Sequence, residues 1–315
     1  MLQCLVPIWR PWDIVEHRDI TYATPEELKQ AGPGAEKYMQ LDLLRRGSAA
    51  RKRPVYIYYH GGAWTIGDKR LPVNPICWEM ASRGWIVINV NYRMAPRSRY
   101  PEILVDCKRA LRWVKENVGA YGGDPDFVAV GGGSAGGHLA AMLALTPNRK
   151  EFQPGFESIN THISAALLSY PVVDVTNASG YALPGFPSWF AHKICGLPHS
   201  PSPTPWLLEK ACPLSAVPIA AKAGRKNDNP SSSSIPATMV VHGANDNVVG
   251  KGTVRCFVDA LRGVDGVDVA YLEVPGAHHG FDCFSGAKTT LVHWASGEFL
   301  DAMWARSRAR RVGCS

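Results

Sequence analysis

The sequence predicts an α/β fold: a mostly parallel sheet of about eight strands, covered by helices on both faces and carrying a small cap. Three observations lead there. Short apolar runs alternate with longer stretches of helical periodicity, and the strongest short runs are rich in β-branched and aromatic residues. The rhythm breaks once, over residues 174–235, and then resumes.

The elements follow in order. "IVEHRDITYAT" (14–24) and "KYMQLDLLRR" (37–46) alternate apolar and polar residues, as half-exposed strands do. "PVYIYYH" (54–60) and "WIVINVNYR" (85–93) are stronger strand candidates. "PEILVDCKRALRWVKENV" (101–118) has helical spacing, opens on a proline and is closed by "GAYGGDPD". "FVAVG" (127–131) is the next strand and "GGHLAAMLAL" (136–145) the helix behind it; "HISAALLSYPV" (162–172) is a further buried strand. Residues 174–235, with "LPGFPSWF", "SPSPTPWLLEK" and "KNDNPSSSS", are too aromatic for a linker and read as an insertion folded over the main domain. Strand "ATMVVHG" (237–243), helix "GTVRCFVDALRG" (252–263), strand "DVAYLEVPG" (268–276) and helix "TLVHWASGEFLDAMWARS" (290–307) complete the pattern. The expected organisation is an N-terminal segment 1–50, a core of 51–173 and 236–305, the insertion 174–235 and a basic tail 306–315.

Composition excludes several classes. At 315 residues the chain can bury roughly three-quarters of its unfolded surface, so disulfides are not required. Its eight cysteines are scattered without C-x-x-C or Cys/His ligand spacing, which argues for free thiols in a reducing compartment and against a metal site. The net charge of +7 is concentrated in "RKR" (51–53) and "RSRARR" (306–311), the pattern of solvated runs rather than of a nucleic-acid face. The start, "MLQCLVPIWRPWD", has no basic n-region and is broken by Pro7, so it fits neither a signal peptide nor a membrane span. A cytoplasmic protein is expected, with neither nucleic acid nor firm membrane contact; a homodimer is compatible with the sequence. The single sequon at Asn177 carries little weight.

The chemistry is concentrated in "FVAVGGGSAGGHLAAMLAL" (127–145), where one serine is surrounded by glycine. Gly132-Gly133-Ser134-Ala135-Gly136 matches G-x-S-x-G at a strand-to-helix junction, where a sharp turn would hold Ser134 strained and exposed over a helix N-terminus. A glycine turn with an incidental serine is the alternative. Three further loops follow strand ends, which in open α/β sheets gather in one crevice. His60-Gly61-Gly62-Ala63-Trp64 would offer backbone N–H groups to an oxyanion. His242-Gly243-Ala244-Asn245-Asp246 would place a carboxylate, with Asp259, Asp265 and Asp268 as nearby rivals. Pro275-Gly276-Ala277-His278-His279-Gly280-Phe281 offers two histidines; His279 is favoured because glycine follows it. The order Ser134, Asp246, His279 is that of nucleophile, acid and base in a hydrolase.

These motifs, with "NYRMAPRSRYP" (91–101) and "YGGDP" (121–125), resemble the α/β-hydrolase superfamily and more narrowly the hormone-sensitive-lipase-like carboxylesterases, with an actinobacterial flavour, over about residues 50–300. The resemblance implies a cap built from about 1–50 and 174–235. Two positions depart from it: Ala63 stands where a glycine is usual, harmless to a backbone donor if its φ is negative, and Gly133 stands where an acidic residue is common. The expected function is hydrolysis of a small-molecule carboxylic ester of short to medium acyl chain through an acyl-enzyme, without metal or organic cofactor. Ser134, His279 and Asp246 would be the triad, and Gly61, Gly62, Ala63 and Ala135 the oxyanion loop. Trp64, Phe186, Trp189, Phe190 and Trp206 are candidates to line an acyl pocket, with plain packing as the alternative for each. An amidase such as an arylformamidase, or a non-catalytic ligand receptor, is the rival reading.

Overall fold

The structure, a computed structural model, describes residues 12–47, 52–70, 75–198, 205–224, 234–284 and 286–313. Eight strands form one sheet: β1 (Ile14–Thr21), β2 (Gln40–Arg46), β3 (Arg53–Tyr59), β4 (Ile86–Val90), β5 (Gly123–Gly133), β6 (Ala165–Ser169), β7 (Ala237–Gly243) and β8 (Val269–Val274). Their spatial order is β1-β2-β4-β3-β5-β6-β7-β8. The β1–β2 and β2–β4 pairs are antiparallel, and every pair from β4 to β8 is parallel.

Alternation along the strands builds two cores. On β3, Val55, Ile57 and Tyr59 face one cluster, and Tyr56 and Tyr58 face the other. The first cluster is covered by α3 (Glu102–Asn117), α4 (Ala135–Leu145) and α8 (Lys251–Arg262). The second is covered by α2 (Pro75–Ser82) and α9 (Ala287–Gly313), through residues such as Met80 and Leu300. Helices therefore lie on both faces, as a parallel sheet requires.

Several expectations need adjustment. β2 is not half-exposed: Leu41 to Leu44 are all buried, because β2 lies inside the sheet between β1 and β4. Its buried Asp42 is accommodated by Arg70, whose Nε donates to it at 2.6 Å. Helix α1 (Pro25–Ala31) falls between the two early strand candidates, where the sequence pattern assigns no element, and it opens with a capping box in which Thr24 and Glu27 satisfy each other's backbone N–H groups. The basic run 306–311 is not a tail. It forms the last turns of the 27-residue α9, and Arg306 and Arg311 pair there with Asp268 and Asp124.

The insertion contains α5 (Phe186–Trp189), a π-helical turn (Phe190–Ile194), α6 (Pro205–Lys210) and α7 (Pro213–Gly224). Phe190, Leu207, Val217 and Ala220 from these elements are buried in the first core cluster.

Candidate active site

The parallel strands end at one edge of the sheet, and the loops after β3, β5, β7 and β8 carry the residues singled out by the sequence. Ser134 occupies the turn between β5 and α4 with φ 56° and ψ −117°, a conformation foreign to L-residues outside forced turns. The turn is possible because α4 approaches β3 closely. A β-carbon on Gly136 would collide with the carbonyl oxygen of Tyr59, and one on Gly132 would lie 2.5 Å from the same atom. The Ser134 N–H donates to Ser169 on β6 at 3.0 Å, and its carbonyl accepts from His138 at 2.9 Å. The backbone is thus pinned on both sides while the hydroxyl projects from the rim.

His279 Nε2 lies 2.9 Å from Ser134 Oγ, and His279 Nδ1 lies 2.8 Å from Asp246 Oδ2. Asp246 is fully buried at its side chain, and Oδ1 accepts from the N–H groups of Val248 and Val249 at 2.9 and 2.8 Å. Burial alone would push its pKa up, but the hydrogen bond from His279 and those from Val249 and Val248 hold it below the ordinary carboxylate value. Asp246 is therefore an anion at neutral pH, and it requires Nδ1 of His279 to carry the proton. Nε2 is then the acceptor facing the serine hydroxyl. His278 is exposed and belongs to none of these bonds; Asp259, Asp265 and Asp268 are not brought to His279.

The loop after β3 abuts the serine. A β-carbon on Gly61 would meet Gly133 O at 2.9 Å and Ser134 Cβ at 3.5 Å. Gly62, Ala63 and Trp64 all have positive φ, at 115°, 50° and 58°. The condition of a negative φ at Ala63 is thus not met: the chain turns back so sharply that Thr65 and Ile66 both donate to Gly62 O at 3.0 Å. Ala135 opens α4 directly after the serine, so its N–H points out of the helix N-terminus. The turn is held from behind by His60, whose carbonyl accepts from Tyr92 at 2.7 Å and whose ring stacks on Tyr92 at 4.4 Å.

The five aromatics separate into two groups. Trp64 and Phe190 are wholly buried, packed edge to face at 4.9 Å, and Trp64 also meets the ring of His138 at 5.1 Å. They are part of the core that supports the loop after β3. Phe186 and Trp189 stack at 5.9 Å nearer the surface, and Trp206 packs edge-on to Tyr100 at 6.2 Å.

A scan of family models matches residues 41–261 to BD-FAE. The chain belongs to the BD-FAE family. Among curated proteins it is 38% identical over 284 residues to Esterase LipQ of Mycobacterium tuberculosis, covering 90% of this chain and 63% of that protein. It is also 38% identical over 271 residues to the probable carboxylic ester hydrolase LipM of the same organism, covering 85% and 59%. The chain thus spans about three-fifths of the length of these relatives. Solved structures share the α/β-hydrolase fold: esterase B from Lactobacillus rhamnosis superposes with a TM-score of 0.76 at 20% identity, covering 96% of this chain and 90% of that one. A truncated carbohydrate esterase from gut microbiota gives 0.73 at 20% identity, covering 93% and 98%.

This BD-FAE member also places residues at the site that sequence reasoning missed. Tyr170, after β6, sets its ring edge-on to His279 at 4.8 Å and donates its hydroxyl to buried Asp282 at 2.5 Å. A β-carbon on Gly133 would lie 2.6 Å from the Tyr170 hydroxyl. That explains the departure at 133: Tyr170 occupies the space a side chain there would need. His242, fully buried, lies 3.9 Å from Asp246 and donates Nε2–H to Val249 O at 3.1 Å, fixing the loop that carries the carboxylate. Burial lowers its pKa, so it adds no charge beside Asp246. No local pattern signals Tyr170, whereas His242 heads the loop His242-Gly243-Ala244-Asn245-Asp246 that the sequence singles out.

Proposed function

We propose that this chain is a serine hydrolase that cleaves carboxylic esters through an acyl-enzyme. The observation that carries the reading is the unbroken series Ser134 Oγ, His279 and Asp246, linked at 2.9 and 2.8 Å on a strained strand-to-helix turn. The names of the Mycobacterium tuberculosis relatives support it.

His279 Nε2 takes the Ser134 proton as the hydroxyl attacks the ester carbonyl, and the buried Asp246 carboxylate stabilises the imidazolium. The backbone N–H groups of Gly62, Ala63 and Ala135 receive the oxyanion, with Gly61 shaping their approach; each such donor is worth roughly 3–4 kcal/mol in the transition state. Collapse expels the alcohol, protonated by His279. The same imidazole then activates water to release the acid. Phe186, Trp189 and Trp206 are the side chains of the insertion proposed to meet the acyl group. Among the described residues no helix is long and apolar enough to cross a membrane. A cytoplasmic location is part of the proposal, supported by six free thiols among the described cysteines.

The test is turnover of p-nitrophenyl esters across acyl lengths, with N-formylkynurenine as an amide control. Ester hydrolysis should dominate, and Ser134→Ala should reduce it by about 10⁴-fold or more while leaving the circular dichroism unchanged. His279→Ala should be similarly damaging and His278→Ala nearly silent. Preferential cleavage of the amide, or equal losses at the two histidines, would refute this assignment.

A further inference from the structure

The basic run at the end of α9 plays no part in the reaction above, and it lies at the other edge of the sheet. A cleft of about 570 Å³ opens there between α9 and the N-terminal ends of β6 and β7. That volume falls in the range of small-molecule sites. Arg306, Arg310 and Arg311 line it, together with one carboxylate, Asp268, and with His162 and Ser307. Phe127 and Met303 supply apolar surface within the same cleft.

Its charge is not balanced from within. Arg306 engages Asp268 through Nη1 at 2.8 Å, and Arg311 engages Asp124 through Nη1 at 2.7 Å. Among the described residues no carboxylate lies within ion-pair distance of Arg310, which leaves three guanidiniums against two carboxylates. The two paired arginines each retain further N–H donors, because a guanidinium carries five. Arg311 is also steadied by the Trp304 ring, 5.9 Å from its guanidinium carbon. Three planar donor groups lining one cleft from one helix suit an oxyanion with several acceptor oxygens, and phosphate offers guanidinium forks three such oxygens for bidentate contacts. The apolar surface would take an organic substituent.

We propose that this cleft binds a phosphate-bearing ligand, a phosphate mono- or diester whose charged group meets Arg310, Arg306 and Arg311 and whose organic part rests on Phe127 and Met303. The same chemistry is offered by a soluble phosphoester and by a phospholipid headgroup. The experiment therefore has two arms on the full chain at low ionic strength. Calorimetric titration with inorganic pyrophosphate probes the soluble source. Co-sedimentation with phosphatidylcholine vesicles, with and without phosphatidylglycerol, probes the lipid source. Arg310→Ala should weaken whichever probe binds by about tenfold or more, as expected for the loss of a charge-assisted bidentate contact. Arg308→Ala removes the same charge from the same helix outside the cleft lining and should leave binding within about twofold. p-Nitrophenyl ester turnover, unchanged in both variants, reports an intact fold, and Arg310→Gln repeats the test with a longer neutral side chain. Failure of both probes to bind the wild-type chain would overturn the proposal. So would equal losses in Arg308→Ala and Arg310→Ala, which would reduce the effect to general positive charge.

Discussion

Ala63 is held at φ 50° by the reversal that brings the loop after β3 against Ser134. A β-carbon there crowds the following carbonyl, which is why glycine is the ordinary occupant of such a position. Ala63→Gly should therefore raise the stability of the fold by up to about 1 kcal/mol in urea unfolding, with ester turnover retained because the N–H is unchanged. A loss of stability would show that the methyl group contributes packing that outweighs the strain. At this scale the sequence is informative where chemistry demands a residue type in a loop after a strand: Ser134, Asp246 and His279 could all be named, and Gly280 favoured His279 over His278. It is silent where a role depends on volume. Nothing local distinguishes Trp64 and Phe190, buried in the core, from Trp189 near the surface, and Tyr170 reaches His279 only through the fold.

Among the elements, the junction of β5 and α4 is the most constrained. Gly136 faces the Tyr59 carbonyl so closely that a methyl group cannot be placed without moving β3 or α4. Backbone cannot yield as a flexible side chain can, so Gly136→Ala should cost about 3 kcal/mol or more and displace Ser134 from His279. Thermal unfolding and ester turnover should fall together; a stable variant with full activity would mean that the turn is not held by this contact. The strands most legible in the sequence are those buried on both faces in the parallel half of the sheet, since continuous β-branched runs have few other uses. β2 is harder to read, because its charged residues suggest a solvated face while ion pairing buries Asp42. α1 escapes a reading of the sequence although Thr24-Pro25-Glu26-Glu27 is a helix-start pattern, because about two turns give too little periodicity to read.

Across the whole molecule, the N-terminal segment is tied to the core by buried charge. Glu27 on α1 accepts from Arg109 at 3.0 Å and from Arg112 at 2.8 Å, both on α3. Burial raises the Glu27 pKa, but the hydrogen bond from Arg112, the N–H of Thr24 and the charges of both arginines hold it below its ordinary 4.5. A depressed carboxylate pKa contributes stability that is present above the unfolded value and lost as pH falls through the folded one. Glu27→Gln leaves two buried guanidiniums with less counter-charge and should cost about 2–4 kcal/mol at pH 7. The difference from wild type should begin to shrink below pH 4.5, where the carboxylate of the unfolded chain protonates, and should close as pH falls through the lower value of the folded state. A difference independent of pH would assign the cost to shape rather than charge.

The measurement closest to the central claim is covalent: incubation with an alkyl p-nitrophenyl phosphonate, followed by mass spectrometry of the peptide that contains position 134. One adduct per chain on Ser134, formed in step with the loss of ester hydrolysis and absent from His279→Ala, is the expected result. Undiminished hydrolysis in a chain fully modified at Ser134, or an adduct on a different side chain, would contradict the account.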